Sequence, residues 1–502
     1  MERITHWIDG QAWSTPAADR QGDVWDPATG QVRARVDLAD GETVRLAIDA
    51  AAQAFPQWRD TSLARRTEVL FAFRDLVHRH RDEIAAAITN EHGKVLDDAR
   101  GEVARGLEVI DFACGIAHLL KGEHSEGVSS GVDTFSLRQP LGVVAVITPF
   151  NFPAMVPLWF IPLAVGAGNT VVLKPSERTP TAAVMLAQLW SDAGLPRGVV
   201  NVVHGDREAV DELLVHPTIR AISFVGSTAV AQHVYATGTS HGKRVQALGG
   251  AKNHMVVMPD ADLDLAADAA VNAGFGSAGE RCMAVSAVVA VGECADELVS
   301  RITQRMGALR TGDGRRGCDM GPLITEEHRD RVASYLASAL DQGAEVVVDG
   351  RSVTADGAPE GFWLGPSLVD RVTPQMSVYR DEIFGPVLSV LRVETMEQAM
   401  ELVAQHPFGN GAAIFTSLGS SARTFARGIE AGMVGVNVPI PVPMAYYSFG
   451  GWKSSLFGDL HAHGADGVRF FTRGKVVTQR WPDSRATGQM PGGPDLVFPT
   501  NA

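Results

Sequence analysis

Cys282 lies in the run Gly-Ser-Ala-Gly-Glu-Arg-Cys-Met-Ala, residues 276–284, where small residues let the backbone approach a bound molecule and leave the sulfur clear of bulky apolar side chains. A free thiol has a pKa of about 8.5, so a nucleophilic cysteine needs nearby positive charge or withdrawal of its proton. The neighbouring Arg281 supplies a cation that favours a thiolate or receives an anionic substrate. The run equally suits a buried, inert cysteine. Thr148-Pro-Phe-Asn-Phe-Pro sets Asn151 between aromatics and prolines in an uncharged stretch. An amide N–H aimed at a developing oxyanion would stabilise a tetrahedral adduct on Cys282. A loop asparagine that bonds its own backbone reads the same way.

Two further segments could hold a phosphorylated ligand. Phe224-Val-Gly-Ser-Thr reads as a strand end, one glycine and a hydroxyl pair opening a helix, so backbone N–H groups aided by Ser227 could bind one phosphate. An ordinary helix cap has the same appearance. Lys174-Pro-Ser-Glu ends another apolar strand, and Glu177 there could grip ribose hydroxyls, although a solvated Lys/Glu pair also fits. The dinucleotide fingerprint Gly-x-Gly-x-x-Gly follows none of these strands.

The elements that must position these residues are legible from periodicity. Residues 43–120 carry helical patterning, with Cys114 on an apolar face. Thr134–Arg138 is short and alternating, which suggests an exposed or edge strand. Apolar runs at 143–147, 170–173, 199–203 and 221–225 then alternate with helices near 181–193, 207–215 and 228–237. A second series has strands near 255–258, 286–291, 387–391, 411–415 and 433–437. Its helices start near 262 and 295 and span about 396–405 and 419–429. Such alternation implies parallel sheets covered on both faces, hence two α/β domains with a cleft that brings Cys282 near a cofactor held by the first.

Composition bounds the function. The 502 residues are 45% hydrophobic and 20% charged with a net charge of −14, and no basic block invites nucleic acid or an anionic membrane. Four cysteines, Cys114, Cys282, Cys294 and Cys318, show no metal-type spacing and suit a reducing compartment. No bound metal is expected. The first residues lack the features of a signal or transit peptide, so the cytoplasm is the expected location. Residues 139–173 carry no charge, but Pro149, Pro153, Pro157 and Pro162 break any single membrane helix. That stretch reads as strand, loop, short helix, strand.

Taken jointly, Thr-Pro-Phe-Asn-Phe-Pro, Lys-Pro-Ser-Glu, Phe-Val-Gly-Ser-Thr, Gly-Glu-Arg-Cys and Glu382-Ile-Phe-Gly-Pro-Val resemble, in this order, the NAD(P)-dependent aldehyde dehydrogenases from about residue 5 to 481. Ala251-Lys-Asn-His, Arg-Cys-Met-Ala, Val434-Gly-Val-Asn-Val-Pro, Gly451-Trp-Lys and Phe457-Gly-Asp-Leu are similar to the CoA-acylating methylmalonate-semialdehyde dehydrogenases within that superfamily. The resemblance implies an α/β fold with a Rossmann-like NAD-binding domain (1–124 and 140–250) and a catalytic domain (251–455). A small β bridging and oligomerisation element with the C-terminal tail (125–139 and 456–502) would make homodimers or a homotetramer. It also implies Cys282 as nucleophile and Asn151 as oxyanion donor. Arg105 and Arg281 would hold a substrate carboxylate, though Arg105 alone also reads as a helical surface charge paired with Glu102 or Glu108. Thr148, Phe150, Lys174, Glu177, Arg178, Ser227, Gly249 and Glu382 would contact NAD, with Glu177 on the adenosine ribose disfavouring a 2′-phosphate.

One departure bears on mechanism. The superfamily's usual deacylating glutamate sits a few residues before the lysine that matches Lys252, and this chain has Leu248 there, after Ala247. Without that base a thiol is a better acceptor for the acyl group than water, because a few per cent is already thiolate at neutral pH. The implied reaction gives propionyl-CoA from methylmalonate semialdehyde, or acetyl-CoA from malonate semialdehyde, with loss of CO2. A hydrolytic aldehyde dehydrogenase using another base, and a non-catalytic scaffold of the same fold, are the alternatives. Leu248-Gly-Gly and Phe449-Gly-Gly-Trp vary from the subfamily near the substrate.

Overall fold

The computed structural model describes residues 2–14, 20–129 and 131–481. The uncharged stretch forms strand Val143–Ile147, helix Met155–Gly166 and strand Thr170–Lys174, with every residue of the three buried. A helix apolar on all sides has to lie between other elements. Trp58 and Arg66, from the helices Gly41–Asp60 and Leu63–Arg79, donate to its last carbonyls at Val165 (2.9 Å) and Gly166 (2.8 Å), which have no partner within the helix.

These strands centre an eight-stranded sheet. Its five parallel members, Val143–Ile147, Thr170–Lys174, Val200–Val202, Ile219–Val225 and Arg244–Leu248, run in the spatial order third, second, first, fourth, fifth. The order reverses between Val143–Ile147 and Ile219–Val225, and the crevice outside the carboxyl ends at such a reversal is where doubly wound sheets hold ligands. Antiparallel strands close both edges: His6–Ile8 with Gln11–Trp13 on one side, Leu456–Phe457 against Arg244–Leu248 on the other.

A seven-stranded sheet follows, in the order Glu345–Val348, Ser367–Asp370, Val387–Val393, Val285–Val291, Asn253–Val257, Gly411–Phe415, Met433–Val436. All but the first pairing are parallel. Helices Leu263–Phe275 and Ala295–Met306 cover one side of it, and Cys294 is buried at the junction leading into the latter. Cys114 and Cys318 are buried, and all four cysteines are free thiols.

One sequence expectation needs correction. Val132–Pro140, which contains Thr134–Arg138, is no edge strand: it lies between His124–Ser129 and Thr472–Arg480 in a three-stranded sheet, paired with the latter in unbroken antiparallel register from Pro140↔Thr472 to Val132↔Arg480. Alternation reports that one face is wet, but it says nothing about who occupies the edges. Residues 456–480 serve two sheets. Leu456–Phe457 joins the eight-stranded sheet and Thr472–Arg480 the three-stranded one, while residues 482–502 lie outside the described structure.

Candidate active site

The Cys282 loop leaves helix Leu263–Phe275 through three successive left-handed residues, Ser277 (φ 50°), Ala278 (φ 53°) and Gly279 (φ 73°). For the two non-glycines this costs about 1–3 kcal/mol each, so the surroundings must impose it. Asp98 does so by accepting from Ser277 N (2.9 Å) and Ser277 Oγ (3.1 Å). Gly279 permits the closest approach, since a Cβ there would stand 2.3 Å from the Gly385 carbonyl oxygen. The Cys282 carbonyl is then clamped by Asn253 Nδ2 (2.9 Å) and Asn410 Nδ2 (3.1 Å).

The thiol is half-buried and forms part of the wall of a 550 Å³ cavity bounded also by Arg105, Arg281, Phe152, Trp159 and Phe449. Burial first, then the charge of Glu382, pushes the Cys282 thiol up to about 12. The backbone N–H groups of Cys282 and Met283 oppose this, and Arg281 opposes it least. Arg281 therefore does not hold a thiolate in the resting site, because its guanidinium is committed to Asp98 at 2.7 Å.

Asn151 is buried beside the Cys282 loop, and its Nδ2 donates to the Glu280 carbonyl at 2.9 Å. An amide nitrogen carries two hydrogens, so one N–H remains for an oxyanion. The Asn151 carbonyl accepts from Lys94 Nζ at 2.5 Å, and Lys94 pairs with Glu102 at 2.8 Å, both side chains fully buried. Glu102 Oε1 also accepts from Ala154 N (2.9 Å) and Met155 N (3.1 Å), capping the helix Met155–Gly166 that follows Asn151. Neither Lys94 nor this role of Glu102 was signalled by the sequence: the two stand eight residues apart, on a turn and on helix Leu96–Cys114.

Arg105, from that helix, reaches the cavity while pairing with Glu108 (2.8 Å) and donating to the Pro443 carbonyl (3.0 Å). Of the two helical partners expected for it, Glu108 is the one used.

The residues matched to NAD contacts gather at the carboxyl ends of the large sheet. Thr148 follows strand Val143–Ile147, and its buried Oγ1 has no partner within the protein. Lys174 ends its strand, donates to the Gly205 carbonyl (2.7 Å) and stands 3.4 Å from Glu177, whose side chain is 37% exposed. Arg178 reaches Thr325 Oγ1 at 3.5 Å. Ser227 is the exposed N-cap of helix Thr228–Ser240 and makes no side-chain cap bond, leaving that helix start open to an anion. Gly249 packs where a Cβ would stand 2.8 Å from the Ser454 carbonyl oxygen. Glu382 accepts from Ala251 N (2.8 Å), faces a small cavity with Cys282, and is pushed by burial up to about 7. Phe150 meets Phe384 edge-on at 5.9 Å. Orphaned Thr148 Oγ1, an uncapped helix start and a half-exposed carboxylate suit a dinucleotide with a free ribose.

Leu248 ends strand Arg244–Leu248, buried in the core that also contains Met283 and Phe449. No carboxylate occupies its place. Among the described residues, no group of three or more His, Cys, Asp or Glu could hold a metal ion, and no helix is long and apolar enough to cross a membrane.

Known proteins agree with this architecture. Residues 13–477 match the model of the aldehyde dehydrogenase family. A malonate-semialdehyde dehydrogenase of Pseudomonas aeruginosa is 55% identical over 96% of this chain and 97% of its own length. The crystal structure of methylmalonate-semialdehyde dehydrogenase from Oceanimonas doudoroffii superposes with a TM-score of 0.95 at 54% identity, covering 97% of this chain and 99% of that one. A Sinorhizobium meliloti protein solved in complex with NAD gives a TM-score of 0.95 at 49% identity, covering 96% and 99%. The chain belongs to the aldehyde dehydrogenase family.

Proposed function

We propose that this protein is an NAD-dependent, CoA-acylating dehydrogenase of malonate or methylmalonate semialdehyde. The observation that carries the reading is the combination of a thiol and two arginines on one cavity wall with an aliphatic side chain, Leu248, where a hydrolytic base would stand. The relatives named for these substrates support it.

Cys282 is the nucleophile and must first lose its proton. Its own N–H and that of Met283 already favour the thiolate, and Glu382 shares its cavity with a carboxyl near neutrality. As sulfur bonds to the aldehyde carbon, the carbonyl oxygen becomes an oxyanion that the second N–H of Asn151 is placed to receive. Arg105 and Arg281 orient the substrate carboxylate away from the thiol; a charged hydrogen bond of this kind is worth about 1.5–3 kcal/mol. Lys174, Glu177, Ser227 and Glu382 would hold NAD across the strand ends, where it would accept the hydride that leaves the thiohemiacetal carbon as the C=O of the thioester re-forms. The thioester on Cys282 persists because nothing at Leu248 activates water. A CoA thiolate attacks its carbonyl carbon, the C–S bond to Cys282 breaks, and the enzyme thiolate is restored. The substrate carboxylate leaves as CO2 around the thioester stage: the C–C bond breaks, its electron pair passes into the thioester enolate, and a proton from solvent then completes the acetyl or propionyl group.

We further infer that residues 1–124 and 140–250 bind NAD, that 251–455 carry the thiol, and that the three-stranded sheet assembles subunits in the cytoplasm. Exposed Val476 (69%), Leu137 (41%) and Trp481 (76%) on or beside that sheet support assembly into a dimer or tetramer. Product analysis tests the reaction: acetyl-CoA or propionyl-CoA should form with NADH when CoA is present, and NADH should stop after one equivalent when it is withheld. Sustained release of free acid without CoA would establish hydrolysis instead.

A further inference from the structure

Glu280, two residues before the nucleophile, is completely buried, and its side chain plays no part in the chemistry above. Its Oε1 accepts from Ile324 N at 3.2 Å and lies 3.4 Å from His328 Nε2, which already donates to the Phe384 carbonyl at 2.7 Å. Its Oε2 has no hydrogen-bond partner, and neither ring nitrogen of the fully buried His92 has one. Two of these orphaned atoms, Glu280 Oε2 and His92 Nε2, face each other across 3.5 Å. A carboxylate oxygen opposite an imidazole lone pair gives neither atom a donor, whereas one proton between them turns the acid into a donor and the ring into its acceptor. We propose that Glu280 and His92 hold a single proton between them as a neutral pair and thereby fix the Cys282 loop against Asn151, making Glu280 a positioning residue of the oxyanion site.

The charged and titratable groups that act on this pair are Lys94 and Arg178 on Glu280, and Lys94, Arg281 and His328 on His92. Burial outweighs their cations, carrying the Glu280 carboxyl well above its usual range and the His92 imidazole well below its own. Burial therefore favours the neutral form of both groups. Two links transmit the placement. The Glu280 carbonyl accepts from Asn151 Nδ2, and the His92 ring stacks on Phe150 at 5.8 Å and 25°. Loss of the proton puts an anion into a buried pocket where Oε2 gains a donor only if the His92 ring switches its own proton to Nε2, so the pair has to rearrange, and the Asn151 contact moves with it.

This inference rests on the roles given to Cys282 and Asn151, so its test has one arm that needs no substrate. In Glu280→Gln the amide N–H replaces the acid O–H, Oε1 still accepts from Ile324, and nothing titrates. Sign matters here: a folded-state carboxyl held above its unfolded value contributes stability that is full below about pH 4 and drains away as pH rises toward the raised value. The Tm of E280Q relative to wild type should therefore climb as pH rises from about 4 toward the raised value. Over the same range the ratio of E280Q to wild-type kcat for NADH formation should rise at least about threefold. His92→Phe keeps the ring stack and removes the acceptor, which should move the alkaline loss of activity to lower pH. A pH-independent Tm difference, a constant kcat ratio, or an unmoved H92F profile would each overturn the proposal. Should every variant and the wild type fail on semialdehydes, the proposed substrate falls, while the Tm series still decides the shared proton.

Discussion

Lys94 Nζ sits 2.8 Å from Glu102 Oε2 with both side chains fully sealed from solvent, and the same ammonium lies 4.3 Å from the centre of the Phe152 ring while donating to the Asn151 carbonyl. One ion pair thus fixes the Asn151 carbonyl and the residues that follow it, Phe152, Ala154 and Met155. Removing one partner of a buried pair leaves an uncompensated charge, costing about 3–5 kcal/mol. Lys94→Met should therefore lower the unfolding free energy by about that amount in urea titrations. It should also reduce kcat more than KM, because Asn151 matters most once the oxyanion forms. Glu102→Gln should be milder, since its amide oxygen can still accept from Ala154 and Met155. Equal stability loss in both, with kcat untouched, would make the pair purely structural.

The relation between Cys282 and Glu382 gives a pH signature. The carboxylate raises the thiol, and the carboxyl itself titrates near pH 7. Below that value Glu382 is protonated and exerts no charge; above it, it suppresses the thiolate. Glu382→Gln should therefore be alkylated by iodoacetamide at the wild-type rate near pH 6 and several-fold faster at pH 8 to 9. Mass mapping should place the adduct on Cys282, and Cys282→Ala should lose both the adduct and NADH formation. A rate ratio independent of pH would show that the two groups do not interact.

Both candidate carboxylate arginines already have protein anions, Asp98 on Arg281 and Glu108 on Arg105. Selectivity therefore has to come from donors these contacts leave over, and Arg105, also held by the Pro443 carbonyl, lines the cavity. Arg105→Leu should raise KM for malonate semialdehyde by about 10- to 100-fold, in line with the loss of about 1.5–3 kcal/mol from a charged hydrogen bond. KM for propanal should change little. A parallel rise for both substrates would assign Arg105 to holding the loop instead.

What the sequence disclosed and what it concealed divide along physical lines. Apolar runs and 3.6-residue periods placed the strands at 143–147, 170–174, 285–291 and 387–393 close to where they lie, because burial on both faces leaves a continuous apolar signal. The strand Arg244–Leu248 was hidden, since arginine and glutamine interrupt its pattern; Arg244 donates to the carbonyls of Phe470 and Thr472, and Gln246 accepts from Ser223 Oγ while its amide N–H groups donate to the Leu460 and His461 carbonyls. Motifs brought Cys282, Asn151 and Glu382 together, yet the groups that hold them, Lys94, Asp98 and Asn410, come from distant segments with no local signature. Arg281 shows the same limit. Adjacency suggested help for a thiolate, and only the fold shows that Asp98 has taken up its charge.

Leu248 allows the mechanism to be tested by gain rather than loss. Its side chain is 3% exposed, at the end of a strand whose neighbouring carbonyls and N–H groups are engaged by Gly226, Leu456 and Ser455. A glutamate here would be desolvated and so drawn toward neutrality, in the range useful for a general base. Leu248→Glu should therefore release free acid without CoA, detectable as multiple NADH turnovers per site where the wild type gives one. The same buried carboxyl should cost stability, by about 1–3 kcal/mol, with the loss growing as pH rises and the acid ionises. Leu248→Gln controls for the change of shape and should lose stability without gaining turnover. If Leu248→Glu folds, binds NAD and still stops after one equivalent of NADH, the missing carboxylate is not what commits the acyl group to a thiol.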